Sequence, residues 1–569
     1  MMKHDRIPLD RLALTRCRKA IALFVGSPEA GNRAKFLIAA LLGLLVAVNA
    51  LNVLNSYVGR DFMTAIEERS MARFVAKALL YVGVFAASTA VAVVYQFAEQ
   101  RLGLLWRDWL TKQLVRRYLE NDGYYWLREK GVQNPDERIA DDVRNYTTTT
   151  ISLALVLLNS GFTIIAFAGV MWSISPLLFG TAVAYAAVGS ALTVLFGRPL
   201  IWLNYDQADR EAALRADLVH LRANAESVAV LRREGRIGAR LRHRVDEVIA
   251  NSKRIITVNR NLGFFTTGYN YLIQIIPALI IAPMFIHGQV EFGVITQSSM
   301  AFAQLLGAFS LVVTQFQQIS GYAVVLARLS ALREGMGDVT SRKPPNIQID
   351  DHGQRLEWTD LSLYTVRDHD LLLRSLTLSI EPGSRLLVTG PNQAACGALF
   401  RATAGLWRAG EGHIVRPPIG AIQFVPERPY LPPGTLRDAL LRTEAGQDVD
   451  DARITSVLRS LEIEDIVSRA GNLDTEGDWD DLLSLAEQQR VAFARVLLAK
   501  PRFAVLNRPG AVIGNEAVPQ ILDLLQKQSI TVVTFAPKDT HAADHERRLV
   551  IESDGTWQEQ PIHAEADTA

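Results

Sequence analysis

Six apolar stretches, at about 36–57, 78–98, 151–173, 176–197, 263–286 and 292–314, constrain this chain more than any other feature. Each has about the length, roughly 20 residues, needed to cross a hydrocarbon core of ~30 Å. A single such stretch reads equally well as a buried core helix. Six of them, with these lengths and flanks, read as membrane spans. The third and fourth are separated only by Ser173-Ile174-Ser175-Pro176, which requires a tight hairpin, and the fifth and sixth by His287 to Glu291. The remaining connections are longer. Those at about 99–150 and 198–262 carry Arg101, Arg107, Lys112, Arg116 and Arg117 in one and Arg210, Arg215, Arg222, Arg232 and Arg233 in the other. The short connections carry no Lys or Arg. This asymmetry places the long loops and both termini on the cytoplasmic side. The connection after the first span runs against the pattern with Arg60, Arg69, Arg73 and Lys77, partly offset by Asp61, Glu67 and Glu68. Arg60 and Asp61 read first as a mutual ion pair at the interface and second as part of a solute path.

The long loops themselves look helical. Leu214, Leu218, Leu221, Ala225 and Val228 recur at helical spacing with charges between them. Such helices would extend into the cytoplasm at ~1.5 Å per residue and dock on a cytosolic domain. Residues Arg6 to Val25 form a candidate interfacial amphipathic helix.

The chain as a whole is composite. It has 569 residues, of which 49% are hydrophobic, too apolar for a soluble protein and too polar for a pure membrane bundle. Its formal net charge of +1 gives no argument for a nucleic-acid partner. Cys17 and Cys396 fall in separate regions, with no metal-ligand pattern and no disulfide framework. The N-terminus shows no signal peptide. After about Ser330 the composition changes, and Lys343-Pro344-Pro345 marks a linker. From Leu356 short strands, turns and helices alternate, as in an α/β domain.

That second half contains the outline of a phosphate-binding loop: an apolar strand from Arg385 to Val388, a Gly390-Pro391 turn, then a helix. A working loop reads G-x-x-x-x-G-K-[ST]. Here Ala395 stands at the second glycine, Cys396 at the lysine and Gly397 at the hydroxyl residue.

Several further stretches carry a resemblance. Asn55-Ser56-Tyr57, Arg60-Asp61-Phe62, Tyr124-Tyr125, the run Asn134-Pro135-Asp136-Glu137-Arg138 to Val143, and Glu211 to Arg215 with Arg222 to Glu226 lie in the membrane half. Gly390-Pro391-Asn392 with Leu399 to Trp407, Phe424 to Asp438 and Trp479 to Arg495 lie in the soluble half. Over roughly residues 35–555 the chain resembles ABC half-transporters, in the branch of the SbmA/BacA-type peptide-uptake proteins and the peroxisomal fatty-acyl transporters. The resemblance implies an all-α six-helix transmembrane domain of exporter type, followed by an α/β P-loop-type nucleotide-binding domain. It divides the chain into an N-terminal cytoplasmic or interfacial segment (1–34), a membrane domain (35–330), a linker (331–355), a nucleotide-binding domain (356–555) and a tail (556–569). Within the membrane domain, Asn134, Pro135, Asp136, Glu137, Arg138 and Glu226 are its family-motif residues.

Carried over residue by residue, the resemblance implies a degenerate ATP site. Cys396 cannot supply the positive charge of the P-loop lysine. Gly397 and Ala398 stand where hydroxyls belong, so Mg²⁺ loses a protein ligand. Gln393 and Ala395 replace residues that let backbone N–H groups approach phosphate. After the strand Phe503 to Leu506, Asn507 and Arg508 occupy the positions of the metal-binding Asp and of the water-activating Glu, and Arg stays protonated. Glu427 stands at the Q-loop glutamine, Gly514 at the D-loop aspartate and Pro537 at the switch histidine, with His541 offset from it. The signature keeps Ser484 and Gln488 but has Ala486 at its glycine. Tyr364 is either an adenine platform or a packed strand residue.

The resulting expectations are no catalytic residue, no metal and no tightly bound cofactor, with ATP and Mg²⁺ held weakly or through a partner. The chain is read as a bacterial inner-membrane protein working as a homodimer or as a heterodimer with an intact half-transporter. Its solute would be a peptide, cobalamin-like or another amphiphile. A proton-coupled, ATP-independent transporter, with Glu67, Glu68 and Glu99 as candidate carriers, and a non-transporting scaffold or sensor are the alternative readings.

Overall fold

A computed structural model describes residues 11–129, 132, 135–232, 234–309, 315–340, 347–366, 368–441, 449–537 and 541–562. The chain divides into two compact units, 1–341 and 342–569. Asn134 and the Lys343-Pro344-Pro345 segment lie outside the described residues.

The first unit is helical. Its helices are α1 (Arg11–Val25), α2 (Gly31–Glu67), α3 (Met71–Leu119), α4 (Gly123–Glu129), α5 (Pro135–Glu137), α6 (Val143–Ile174), α7 (Pro176–Ala223), α8 (Ala225–Leu231), α9 (Glu234–Ile286), α10 (Gly293–Phe309) and α11 (Phe316–Thr340). Five helical stretches are long and apolar enough to cross a membrane: Gly31–Glu67, Met71–Leu119, Pro135–Ile174, Pro176–Arg222 and Glu234–Ile286. The sixth expected span is helical over Gly293–Phe309, and its residues 310–314 lie outside the described residues. The helices are far longer than their apolar cores. Helix α9 runs for 53 residues and α3 for 49, so span and long loop form one rod. Helical continuity follows from the bilayer, where every backbone polar group must be satisfied inside its own segment. The hairpin at 173–176 is as tight as its sequence requires. Only Ser175 leaves the helical region, at φ −160° and ψ 121°, and Pro176 opens α7, where its missing N–H is not needed.

Polar side chains inside this unit are largely spent on holding helices together. The buried Asn49 of α2 donates to Asn159 Oδ1 at 2.9 Å and accepts from Thr163 Oγ1 at 2.9 Å, both on α6. Tyr185 of α7 and Tyr269 of α9 stack with centroids 4.2 Å apart. Each hydroxyl donates to the other residue's carbonyl, at 2.7 and 3.1 Å. Gly189, one turn along α7, leaves room for the Tyr269 ring, which a Cβ there would strike. Arg60 pairs with Asp61 at 2.8 Å as expected, and Lys77 of α3 joins the other carboxylate oxygen at 2.8 Å. Helix α1 is tethered by the buried Phe24, whose ring stacks on Trp106 at 5.4 Å.

The second unit is built on β1 (Ile347–Asp350), β2 (Leu356–Tyr364), β3 (Leu371–Ile380), β4 (Arg385–Thr389), β5 (Gly410–Val415), β6 (Ile422–Val425), β7 (Gly434–Thr435), β8 (Glu476–Gly477), β9 (Phe503–Asn507), β10 (Thr531–Phe535), β11 (Arg547–Ile551) and β12 (Trp557–Pro561). A six-stranded sheet has the order β12-β11-β4-β10-β9-β6, and a four-stranded sheet the order β1-β5-β2-β3. In the large sheet all neighbours are parallel except β11 and β12. Its central strands read as unbroken apolar runs because both faces are covered. Strand β10 is wholly buried. The stretch 331–355, expected as a linker, instead holds the end of α11 and the strand β1, which pairs with β5. Beyond β4 the sheet continues, with β11 parallel to β4 and β12 antiparallel to β11.

Two outcomes follow. Substituting Gly189→Val should destabilise the α7–α9 pair by about 1–3 kcal/mol, the usual cost of overpacking, and lower the thermal midpoint of the detergent-solubilised protein. His545 is buried and its ring meets Thr534 Oγ1 at 2.9 Å. Burial pushes its pKa below the usual 6.5. Below pH ~6.5 the unfolded chain takes up a proton that the folded imidazole resists, so stability falls as pH drops. Thermal unfolding should therefore occur at lower temperature at pH 5.5 than at pH 7.5, with a smaller difference in His545→Gln.

Candidate functional site

In a parallel sheet, ligands bind beyond the carboxyl ends of the strands. The order β4-β10-β9-β6 sets four strand ends side by side, and the register aligns Phe535 with Val388 on one side and Asn507 on the other. The loops leaving these ends carry, in spatial order, Gly390 to Gln393, Pro537, Arg508 and Glu427. Positions scattered over nearly 150 residues of sequence thus come to one edge.

Backbone geometry explains the start of this edge. Gly390 has φ +139°, and a Cβ there would run into the Ile551 carbonyl of β11, so only glycine fits. Asn392 caps the helix Gln393–Thr403 by accepting from the Ala395 N–H at 3.0 Å. Its amide donates to the Leu372 carbonyl at 3.2 Å. The N–H groups of Gln393 and Cys396 donate to the carbonyls of Pro391 and Asn392, each at 3.1 Å. These are N–H groups of the kind that a helix start offers to an anion, and three of them are committed within the loop.

Side chains then join the four loops. The Gln393 carboxamide donates to the Gly390 carbonyl at 2.7 Å and to the Pro537 carbonyl at 3.2 Å. Its oxygen accepts from Arg508 Nη2 at 3.0 Å. Arg508 Nη1 lies 3.6 Å from Glu427 Oε2. One amide and one guanidinium therefore tie together all four loops. Arg508 holds a left-handed backbone at φ 50°, sparsely allowed for a non-glycine residue, and its N–H donates to the Phe535 carbonyl at 2.8 Å.

Cys396 lies in the first turn of the helix and is buried. Burial pushes its thiol up to about 11, with a smaller opposing effect of Arg508. Ala395 and Ala398 are buried beside it, and Gly397 faces Arg401. Gly514 is exposed with φ +84°. Tyr364 ends β2, with its hydroxyl donating to Glu411 at 3.0 Å.

The signature residues lie at the start of the helix Leu485–Ala499. Ser484 caps it in a reciprocal box with Glu487. Burial raises the Glu487 pKa, but the bonds from Ser484 and Arg469 outweigh it and hold the carboxyl below its usual range. Gln488 is buried and donates to the carbonyls of Asp480 and Leu483 at 2.9 and 3.0 Å. Ala486 is half-buried.

In the membrane unit the motif residues Pro135, Asp136 and Glu137 form the single turn α5, followed by a π-helical turn Arg138–Asp142. Sequence reasoning missed their partner, Arg328 of α11. It pairs with Glu137 at 3.2 Å and with Asp142 at 2.9 Å, and its carbonyl accepts from Arg138 at 3.1 Å. Nothing in the local sequence announces a contact across nearly two hundred residues. Glu226 is exposed in the first turn of α8.

A transmembrane helical unit followed by a doubly layered P-loop-type unit defines a half-transporter. Comparison with known proteins bears this out. The ABC transporter transmembrane region 2 family matches residues 23–286, and the ABC transporter domain family matches 373–510. An uncharacterized ABC transporter ATP-binding protein of Synechocystis is 33% identical over 93% of this chain and 82% of its own. ABC transporter D family member 2, chloroplastic, of Arabidopsis thaliana is 31% identical, over 92% and 84%. The human lysosomal cobalamin transporter is 24% identical, over 83% and 84%. The chain belongs to the ABC transporter family, and it carries one membrane region and one nucleotide-binding-type domain.

Because its thiol is buried and neutral, Cys396 should resist iodoacetamide at pH 8 in the folded protein and react fully after denaturation, as read by mass spectrometry of the peptide.

Proposed function

We propose that this chain is a membrane-transport subunit of half-transporter type whose own nucleotide site does not hydrolyse ATP, and that it moves peptides or other amphiphilic solutes. The observation that carries the reading is the Gln393–Arg508–Glu427 bridge. Phosphoryl transfer needs a cationic clamp, a metal and a positioned water at the ends of these strands. Here the loops are bonded to one another instead. No lysine stands at position 396, no carboxylate at 507 or 508 and no imidazole at 537. The frame around these positions stays well packed, with Leu386, Val388, Leu399, Val505 and Phe535 in one buried cluster. This favours a retained structural role for the domain, as a plate through which two halves associate.

One half-transporter has a single membrane region, so the working unit is a dimer. In a heterodimer an intact partner supplies the phosphate clamp, and this chain contributes the helix capped by Ser484. The basic long loops and the bacterial relative support a multi-pass protein of a bacterial inner membrane with its second unit in the cytoplasm. A second reading is uptake driven by the proton gradient, as in the SbmA/BacA-type proteins. Among its candidate carriers Glu68 is engaged with Arg73 at 2.6 Å, whereas Glu99 lines a cavity.

Purified alone, the chain should show no saturable, Mg²⁺-dependent binding of a fluorescent ATP analogue, and Cys396→Lys alone should not create it, since the bridge persists. Tight Mg²⁺-dependent binding by the unaltered chain would overturn the inactive-site reading. Solute uptake by the lone protein in proteoliposomes that survives without ATP and collapses with the proton gradient would favour the second reading over the heterodimer.

A further inference from the structure

Toward the α2–α3 turn, the first span carries buried polar groups that helix packing leaves unused. Ser56, Gly59, Arg60 and Met63 recur at spacings of three, four and seven residues, so they share one stripe of α2. That stripe forms one wall of a pocket of about 100 Å³. Tyr81 of α3 and Gln297 and Met300 of α10 stand in the other walls. Ser56 is 1% exposed and Gln297 2%. Neither Ser56 Oγ nor Gln297 Nε2 has a hydrogen-bond partner among the described residues. Elsewhere in this unit a buried polar side chain is met by a neighbouring helix, as Asn49 is by Asn159 and Thr163. Buried polar atoms without a partner lower stability unless something bonds them. Ser56 and Gln297 line a cavity in which a ligand can do so.

The three helices are held around this pocket. The Gly293 N–H donates to Thr64 Oγ1 at 3.2 Å, and a Cβ at Gly293 would strike the Arg60 carbonyl, so α10 lies tight on α2. Across from it, the Tyr81 hydroxyl comes within 3.5 Å of where a Gly59 Cβ would stand. The walls then give the chemistry. A hydroxyl and a carboxamide N–H₂ both donate, and Arg60 adds a cation. Asp61 accepts from Arg60 at 2.8 Å and from Lys77 at 2.8 Å. Two cations thus share one carboxylate, and the group keeps one positive charge. On the α10 side Glu291 is exposed and meets Thr64 Oγ1 at 3.4 Å, one turn beyond Arg60. Donors beside an excess positive charge favour an anion.

The kind of anion follows from two further features. An oxyanion is best held by a guanidinium fork, but Arg60 Nε and Nη2 are both engaged by Asp61 Oδ1, at 3.1 and 2.8 Å. Arg60 therefore contributes charge and not a fork. The thioethers of Met63 and Met300 are soft and polarizable, which suits a large, weakly hydrated ion. We propose that this pocket binds a halide ion, chloride in ordinary salt. Ser56 and Gln297 donate to it, in the field of Arg60 and Lys77, and it ties α2 to α10. The proposal is independent of the transport reading.

The test uses the full-length protein in phosphatidylcholine nanodiscs, in sodium gluconate, chloride or bromide at one ionic strength, so that screening is equal. Chloride and bromide should raise the thermal midpoint saturably, by about 2–4 °C over gluconate. Gln297→Leu and Ser56→Ala should each remove that rise. Crystals of the unaltered protein grown in bromide should show an anomalous peak within hydrogen-bond reach of Ser56 Oγ and Gln297 Nε2, which decides the matter even where a variant fails to fold. Equal midpoints in the three salts would overturn the proposal. So would a halide-dependent rise that both variants keep, which would place the ion elsewhere. A pocket without a bromide peak would also overturn it and assign the site to water.

Discussion

The parallel ladder that sets β4, β10, β9 and β6 side by side is the constraint on which the second unit depends. It buries both faces of its strands, and it also gathers their carboxyl ends into one edge. Whatever residues follow those strands must then meet each other. In a nucleotide-hydrolysing relative of this family they would meet phosphate and metal. Here a carboxamide at 393 and a guanidinium at 508 meet directly, 3.0 Å apart. The bond is charge-assisted, the stronger kind. Gly390, crowded by β11, and Asn392, capping the helix, hold the first of these loops in place.

The membrane unit follows the same economy with a different solvent. Hydrocarbon offers no partner to a polar group, so polar side chains are either bonded within the protein or turned toward water or solute. The Asn49–Asn159–Thr163 set and the Tyr185–Tyr269 clasp belong to the first kind and fix helix against helix. The edge-to-face contact of Trp106 with Tyr146 packs α3 on α6.

Much of this architecture is legible in the order of residues alone. The spans, the 173–176 hairpin and the strand-turn-helix at 385–401 follow from local patterns that periodicity and turn chemistry report directly. The residues at 396, 507, 508 and 537, Cys, Asn, Arg and Pro, are equally plain in the sequence. Other features are not legible there. Strand β1 hides in a stretch that reads as linker, because four residues carry too little pattern to announce a strand whose partner, β5, lies some sixty residues on. Arg328 reads as one more basic residue of a helix until the fold brings it to Glu137 and Asp142. Lys77 reads as an exception to the charge pattern until the fold sets it on Asp61.

Sequence alone determined that the chain has a membrane half and an α/β half, and that positions 396, 507, 508 and 537 of the second carry Cys, Asn, Arg and Pro. Those are properties of composition, length and residue type, which need no contact to be read. Only the tertiary structure decided that Gln393, Glu427, Arg508 and Pro537 bond across one edge, and that Ser56, Arg60 and Gln297 line one pocket. Both depend on segments far apart in the chain being placed side by side, and side-chain hydrogen bonds act only over about 3 Å.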